Sequence, residues 1–252
     1  MKDLSSIYYE IAEVSELIHL KGWAEKNAGN FSCKIVSKVD SSLVFEHKLP
    51  VAYPLLSDCI FIITGKGTRM RNIAKSPESN TVVIKMNALG DSYGYLSEGI
   101  PVTSELITHL AIHNMIAERG SNERTVIHSH VTELIALTHI DEYCNQENLN
   151  NLLWRMHPET IMFIPDGVGF VPFEMPGSEN IAKLTVEALK SHPIALWEKH
   201  GVFSIADNLN DCYDLLDIAA KSAKIYFMIA QSGNDPKGLT SNQLDRLSSI
   251  DF

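Results

Sequence analysis

The sequence predicts an α/β protein, a three-layer α/β/α sandwich around a largely antiparallel, mixed sheet. Two observations predict it. Short runs with a two-residue period come early and are joined by turns, and helical stripes open the chain and dominate its second half. No Ser/Pro/Gly-rich linker divides the 252 residues, so 1–252 reads as a single domain. With 45% hydrophobic and 21% charged residues, the composition is that of a globular chain able to bury a large core.

Leu4, Ile7, Ile11, Val14, Leu17 and Ile18 recur at three and four, the stripe of an amphipathic helix, and Gly22 marks its end. Phe31, Cys33 and Ile35 alternate with Ser32 and Lys34 as a half-buried strand, and Cys59 to Ile63 reads as a buried one. Val82 to Met86 and Ser92 to Leu96 form a hairpin through Leu89-Gly90-Asp91. A helix begins at Thr103 or Ser104, where a hydroxyl can cap free N–H groups, and stops near Gly120. Thr125 to His130 is a strand and Val131 to Ile140 a short helix. Ile161 to Ile164 and Val168 to Val171 flank Pro165-Asp166-Gly167 as a second hairpin, and Ile194 to Trp197 and Val202 to Ile205 flank a bend at His200-Gly201 as a third. Helices over about Ser178 to Ser191, Asp211 to Gln231 and Ser241 to Ile250 complete the set.

Composition excludes several functions. Twenty-one basic against 31 acidic residues leave a net charge of −10, which disfavours nucleic acid as a partner. The longest apolar run, Ile225 to Ala230, is far short of the roughly 20 residues of a membrane span. Met1-Lys2-Asp3-Leu4 leads into a polar amphipathic pattern rather than a secretory h-region, so the expected location is cytoplasmic. Cys33, Cys59, Cys144 and Cys212 are far apart with no CxxC, and are expected to be reduced and mostly buried.

His128 and His130 lie two apart in a strand context, which points both imidazoles to one face, where they can share a divalent metal. His200, beside Gly201, is the best third ligand, since glycine permits close backbone approach. Three protein ligands with an open position describe a catalytic zinc site. Glu105, His109 and His113 follow one helical face and are a competing metal set, or a packed face in which the histidines bond Glu105. Asn27-Ala28-Gly29-Asn30, Thr64-Gly65-Lys66-Gly67 and Thr103-Ser104 are small-residue turns whose N–H groups and hydroxyls could hold a phosphate if they converge.

These segments resemble the class II aldolase/adducin family. The matching pieces are 22–30 (GWAEKNAGN), 61–67 (FIITGKG), 101–106 (PVTSEL), 126–130 (VIHSH), Leu153-Trp154 with Pro158-Glu159, 165–169 (PDGVG) and 197–203 (WEKHGVF), in family order over nearly the whole chain. The Leu-Trp…Pro-Glu and PDGVG pieces, with the WEKHGVF wording, resemble the family's rhamnulose branch. The resemblance implies that His128, His130 and His200 hold one Zn²⁺ per subunit and that Glu105 is the catalytic carboxylate beside it. It implies that Glu159 is a second acid, acting across a subunit interface in a homotetramer. It also implies that Asn27, Gly29, Asn30, Thr103 and Ser104 hold the phosphate of a sugar-phosphate substrate or its neighbouring oxygens. Lys66-Gly67 departs from the Ser-Gly expected at that phosphate position.

The implied reaction is reversible cleavage of L-rhamnulose 1-phosphate to dihydroxyacetone phosphate and L-lactaldehyde, with zinc stabilising the enediolate as an electron sink. Cleavage of L-fuculose 1-phosphate, or epimerisation of a pentulose phosphate at C4, needs the same residue types. Two other classes are a non-enzymatic adducin-like head, which lacks the metal site, and a zinc hydrolase in which Glu105 activates water. The retained histidines and Glu105 oppose the first, and the phosphate-type turns give the second little support.

Overall fold

The computed structural model describes residues 4–35, 46–96 and 99–249. Residues Met1 to Asp3 of the N-terminal reading and Ile250 of the last expected helix lie outside them. Helix α1 (Leu4–Leu20) opens the fold, followed by strands β1 (Asn30–Ile35), β2 (His47–Lys48) and β3 (Ile60–Thr64). The short helices α2 (Met70–Ile73) and α3 (Pro77–Asn80) precede β4 (Thr81–Met86) and β5 (Ser92–Tyr95). Then come α4 (Leu106–Arg119), β6 (Thr125–Ser129), α5 (Thr132–Leu137), α6 (Gln146–Met156), α7 (Pro158–Phe163) and β7 (Val168–Val171). Helix α8 (Glu179–Leu189), strands β8 (Ile194–Trp197) and β9 (Gly201–Ala206), and helices α9 (Leu209–Gln231) and α10 (Ser241–Ser248) end the described chain.

The described strands form one sheet of nine in the order β2-β5-β4-β3-β1-β6-β9-β8-β7. Every pairing is antiparallel except that of β7 with β8. This is the expected mixed, largely antiparallel sheet between helical layers. The two-residue period of a strand sorts side chains between the layers. Ile60 and Ile62 pack with α1, α2, α5, α6 and α9 on one face, whereas Phe61 and Ile63 pack under the start of α4 on the other. Ala195, Trp197, Phe203 and Ile205 meet α8 and the rest of α4 on that second face. No helix among the described residues is long and apolar enough to cross a membrane. The four cysteines are free, Cys33 and Cys212 buried and Cys59 and Cys144 half-buried.

Four expectations change. Ile161 to Ile164 is not a strand; Ile161, Met162 and Phe163 finish α7, which Pro158 starts because its missing N–H and fixed φ suit the first helical turn. Val168–Val171 therefore has no hairpin partner at 161–164, and it pairs in parallel with Ile194–Trp197. Four apolar residues in a row carry no period that separates strand from helix. Helix α6 has no counterpart in the sequence reading, although Leu149, Leu152 and Leu153 are buried along it and Asn145 caps it by accepting from the Asn148 N–H. Helix α4 begins at Leu106, with Glu105 in the capping position, rather than at Thr103 or Ser104. Strand β1 is buried on both faces rather than half-buried, because α4 covers its even-numbered residues.

Candidate active site

Three loops and two strand ends build the site. His128 is the next-to-last residue of β6, where its ring stacks on Phe203 with centroids 4.4 Å apart. His130 lies just past the strand rather than within it, held by its own N–H to the Trp23 carbonyl at 2.9 Å. His200 sits in the turn between β8 and β9, the third expected hairpin. Lys199 takes a φ of 58° there and donates its N–H to Thr138 Oγ1 at 2.8 Å. One nitrogen of each imidazole lies within 4.8 Å of the others.

The residues fit a divalent metal. His128 Nδ1 donates to the Val202 carbonyl at 2.9 Å and His130 Nδ1 to Glu25 Oε1 at 2.7 Å, which leaves each Nε2 bare for coordination. Burial pushes the His128 imidazole below its ordinary range. Burial, with the neighbouring His128 and His130, pushes His200 down to about 4. Neutral imidazole is the ligating form. Gly201 makes the cluster possible in an unexpected way: a Cβ there would lie 2.7 Å from the Ser129 carbonyl oxygen, 3.0 Å from His130 and 3.1 Å from His128. The glycine thus admits the other two histidines rather than a ligand.

Glu105 stands at the N-terminal end of α4 with its Oε2 3.8 Å from His128 Nε2 and 2.8 Å from the Asn30 amide nitrogen, which donates to it. Burial raises its carboxyl, but His128, the Asn30 hydrogen bond, His109 and His200 together outweigh burial and hold it below the usual carboxylate range. The group is therefore ionised at neutral pH.

The three small-residue turns converge. Lys66 N–H donates to the Pro101 carbonyl at 2.6 Å and Thr103 N–H to the Thr64 carbonyl at 3.0 Å, so the 64–67 and 101–104 loops run side by side. Phe31 N–H donates to Thr64 Oγ1 at 2.9 Å, tying these loops to β1. Asn27, Gly29, Asn30, Lys66, Gly67, Thr103, Ser104 and Glu105 line one cavity of about 310 Å³ together with His128, His130 and His200.

Glu159 is the site candidate absent from that lining. It lies near the start of α7 with its side chain 46% exposed and Oε2 3.0 Å from His157 Nε2. That contact lacks hydrogen-bond geometry, since Glu159 Oε2 has no hydrogen-bond partner. Neither the His109 nor the His113 imidazole joins the metal cluster or bonds the Glu105 carboxylate; both bond Ser32, and His109 also bonds Asn30. Glu25 and Thr68 received no role in the sequence reading. Thr64 and Thr68 line the cavity and Glu25 orients His130. Glu25 stood inside the segment shared with the family, but 105 residues separate it from His130 and hide the pairing.

The comparisons with known proteins agree with this geometry. The model of the class II aldolase and adducin N-terminal domain matches residues 9–227, and the chain belongs to that family. Within it the chain is a class II, metal-dependent aldolase, an aldehyde-lyase. It is 36% identical to a rhamnulose-1-phosphate aldolase of Bacteroides thetaiotaomicron over 248 residues, covering 95% of this chain and 91% of that one. A rhamnulose-1-phosphate aldolase of Pectobacterium atrosepticum is 34% identical over 89% of this chain and 86% of its own length. The crystal structure of a sugar-phosphate aldolase from Thermotoga maritima superposes with a TM-score of 0.80 at 28% identity, over 93% of this chain and 99% of that one.

Proposed function

We propose that the chain is a zinc-dependent aldolase that cleaves L-rhamnulose 1-phosphate reversibly to dihydroxyacetone phosphate and L-lactaldehyde. The observation that carries this is one cavity holding a three-histidine cluster, an ionised carboxylate and three converging phosphate-type loops. The relatives at 34–36% identity that bear that name direct the choice of sugar. His128, His130 and His200 hold the cation, one per subunit. Bound there, zinc supplies Lewis acidity for the negative charge that develops on the ketone half.

The residues do the rest. Backbone N–H groups and side chains at Asn27, Gly29, Gly67, Thr103 and Ser104 bind the phosphate and fix the register of the sugar, while Lys66 adds a cationic donor. Glu159, reaching from a neighbouring subunit of a homotetramer, takes the proton of the 4-hydroxyl. Its Oε2 accepts no hydrogen bond within its own chain, although His157 Nε2 lies 3.0 Å away. The C3–C4 bond breaks, the C4 carbonyl forms, and L-lactaldehyde leaves with the bonding pair left on C3 of the dihydroxyacetone phosphate half. Glu105 carries the proton at C3: it removes one in the condensing direction and returns one in cleavage. Free thiols suit the reducing cytoplasm, where we place the enzyme.

The test is a coupled assay for dihydroxyacetone phosphate released from L-rhamnulose 1-phosphate. Zinc-loaded protein is expected to release it, chelator-stripped protein to lose the activity, and added zinc to restore it. Zinc-loaded protein that is silent on this substrate, or that only cleaves L-fuculose 1-phosphate or epimerises a pentulose phosphate, overturns the assignment.

Lys66 gives a second prediction. Replacing it with serine is expected to raise KM by about tenfold with kcat nearly unchanged, because a charge-assisted phosphate contact is lost equally from the ground state and the transition state. Steady-state kinetics check it, and an unchanged KM means that the ammonium does not touch the phosphate.

A further inference from the structure

Beneath the cavity floor a polar seam runs between the sheet and α4. Asn30 and Ser32 lie two apart on the face of β1 that α4 covers, about 6.6 Å apart along a strand. His109 and His113 lie four apart on α4, about 6 Å apart along a helix. The repeats match, so the four side chains interlock. Ser32 Oγ is 2.8 Å from His109 Nδ1 and 2.8 Å from His113 Nε2, His109 Nε2 is 2.5 Å from Asn30 Oδ1, and Asn30 Nδ2 is 2.8 Å from Glu105 Oε2. All four seam residues are buried, His109 and Ser32 completely.

The direction of every bond follows from Glu105. A carboxylate only accepts, so the Asn30 amide must turn its NH₂ toward it and its Oδ1 toward His109. His109 must then carry its proton on Nε2. Burial pushes its imidazole down to about 3, so it is neutral and its Nδ1 is bare. Ser32 donates to that Nδ1 and accepts from His113 Nε2–H, which leaves His113 Nδ1 bare, and that atom has no hydrogen-bond partner. The reversed chain fails at its end, because it would set Asn30 Oδ1 against Glu105 Oε2 at 2.8 Å.

We propose that His109, braced by Ser32 and His113, is a positioning residue that locks the Asn30 amide and thereby holds the Glu105 carboxylate in its working orientation. The proposal rests on the aldolase reading only for its kinetic readout. By hydrogen bonds the seam reaches the site through Asn30, and the His109 ring also packs edge-on against Phe203, on which His128 stacks.

The test uses zinc-loaded enzyme. His109→Leu keeps the bulk and removes the donor to Asn30; His109→Gln keeps an N–H that can reach Asn30 Oδ1. The leucine variant is expected to lose about 10- to 100-fold in kcat, with KM within about twofold and zinc content unchanged, and the glutamine variant to recover most of the loss. If both variants lower the melting temperature while kcat per zinc-loaded site stays at the wild-type value, the seam is structural and the proposal is wrong. ¹⁵N NMR of labelled histidines in the wild-type protein decides the bond direction without activity or a variant. Nε2–H tautomers at both His109 and His113 are expected, and an Nδ1–H tautomer at His109 overturns the proposal. Wild-type enzyme silent on L-rhamnulose 1-phosphate would sink the rhamnulose assignment, and the tautomers would still decide the seam.

Discussion

Replacing Glu105 with glutamine is expected to lower kcat for cleavage of L-rhamnulose 1-phosphate by about 10²- to 10⁴-fold, the usual contribution of a positioned proton carrier. Zinc content, melting temperature and KM should stay close to wild type. The glutamine is nearly isosteric, and its amide oxygen can still accept from the Asn30 NH₂ that holds Glu105 Oε2 at 2.8 Å. What disappears is the capacity to take up and release a proton beside His128, where the carboxylate is ionised at neutral pH. A second measurement locates the defect. In deuterated water the wild-type enzyme should exchange a C3 hydrogen of dihydroxyacetone phosphate with no aldehyde present, because that half-reaction needs only the proton carrier at C3. The Glu105→Gln protein should lose this exchange together with cleavage. Cleavage lost with exchange intact would move the C3 proton to another group.

The parts of the site that were legible in the sequence depend on short-range geometry. A His-X-His pair ending a strand, and a His-Gly pair in a hairpin turn, state their own spacing, and the structure gathers His128, His130 and His200 accordingly. The unbroken apolar run Cys59 to Ile63 placed β3 to within a residue, because a strand with both faces buried needs no polar alternation. The misread parts depend on partners far away in sequence. The polar residues of β1 read as a solvent face, yet α4 covers them, and the Ser32–His109 contact spans 77 positions. Nothing in the local pattern distinguishes a serine facing water from one facing two buried histidines. Around residues 158–164 the failure was of a different kind. Ile161 to Ile164 offers no period, and the helical signal came from Pro158, three residues earlier.

The corresponding change at Glu159 should separate the two carboxylates. Glu159→Gln is expected to cost about 10²- to 10⁴-fold in kcat for cleavage, since the 4-hydroxyl proton would have no acceptor. Deuterium exchange at C3 of dihydroxyacetone phosphate should survive, because that hydrogen is Glu105's concern and no 4-hydroxyl is present. Folding should survive too, as the side chain is 46% exposed and its Oε2 gains no hydrogen bond within the chain. Glu159 does not line its own chain's cavity, so the proposal that it works across a subunit boundary makes a sharper prediction. Mixing the Glu105→Gln and Glu159→Gln proteins under conditions that exchange subunits should restore activity. A competent site then takes Glu105 from one variant and Glu159 from the other, which random assembly of a symmetric oligomer provides at about a quarter of the sites. Two inactive proteins that stay inactive after proven subunit exchange would place Glu159 outside the chemistry or within its own subunit's reaction. Activity recovered near that fraction would require each active site to be built from two chains.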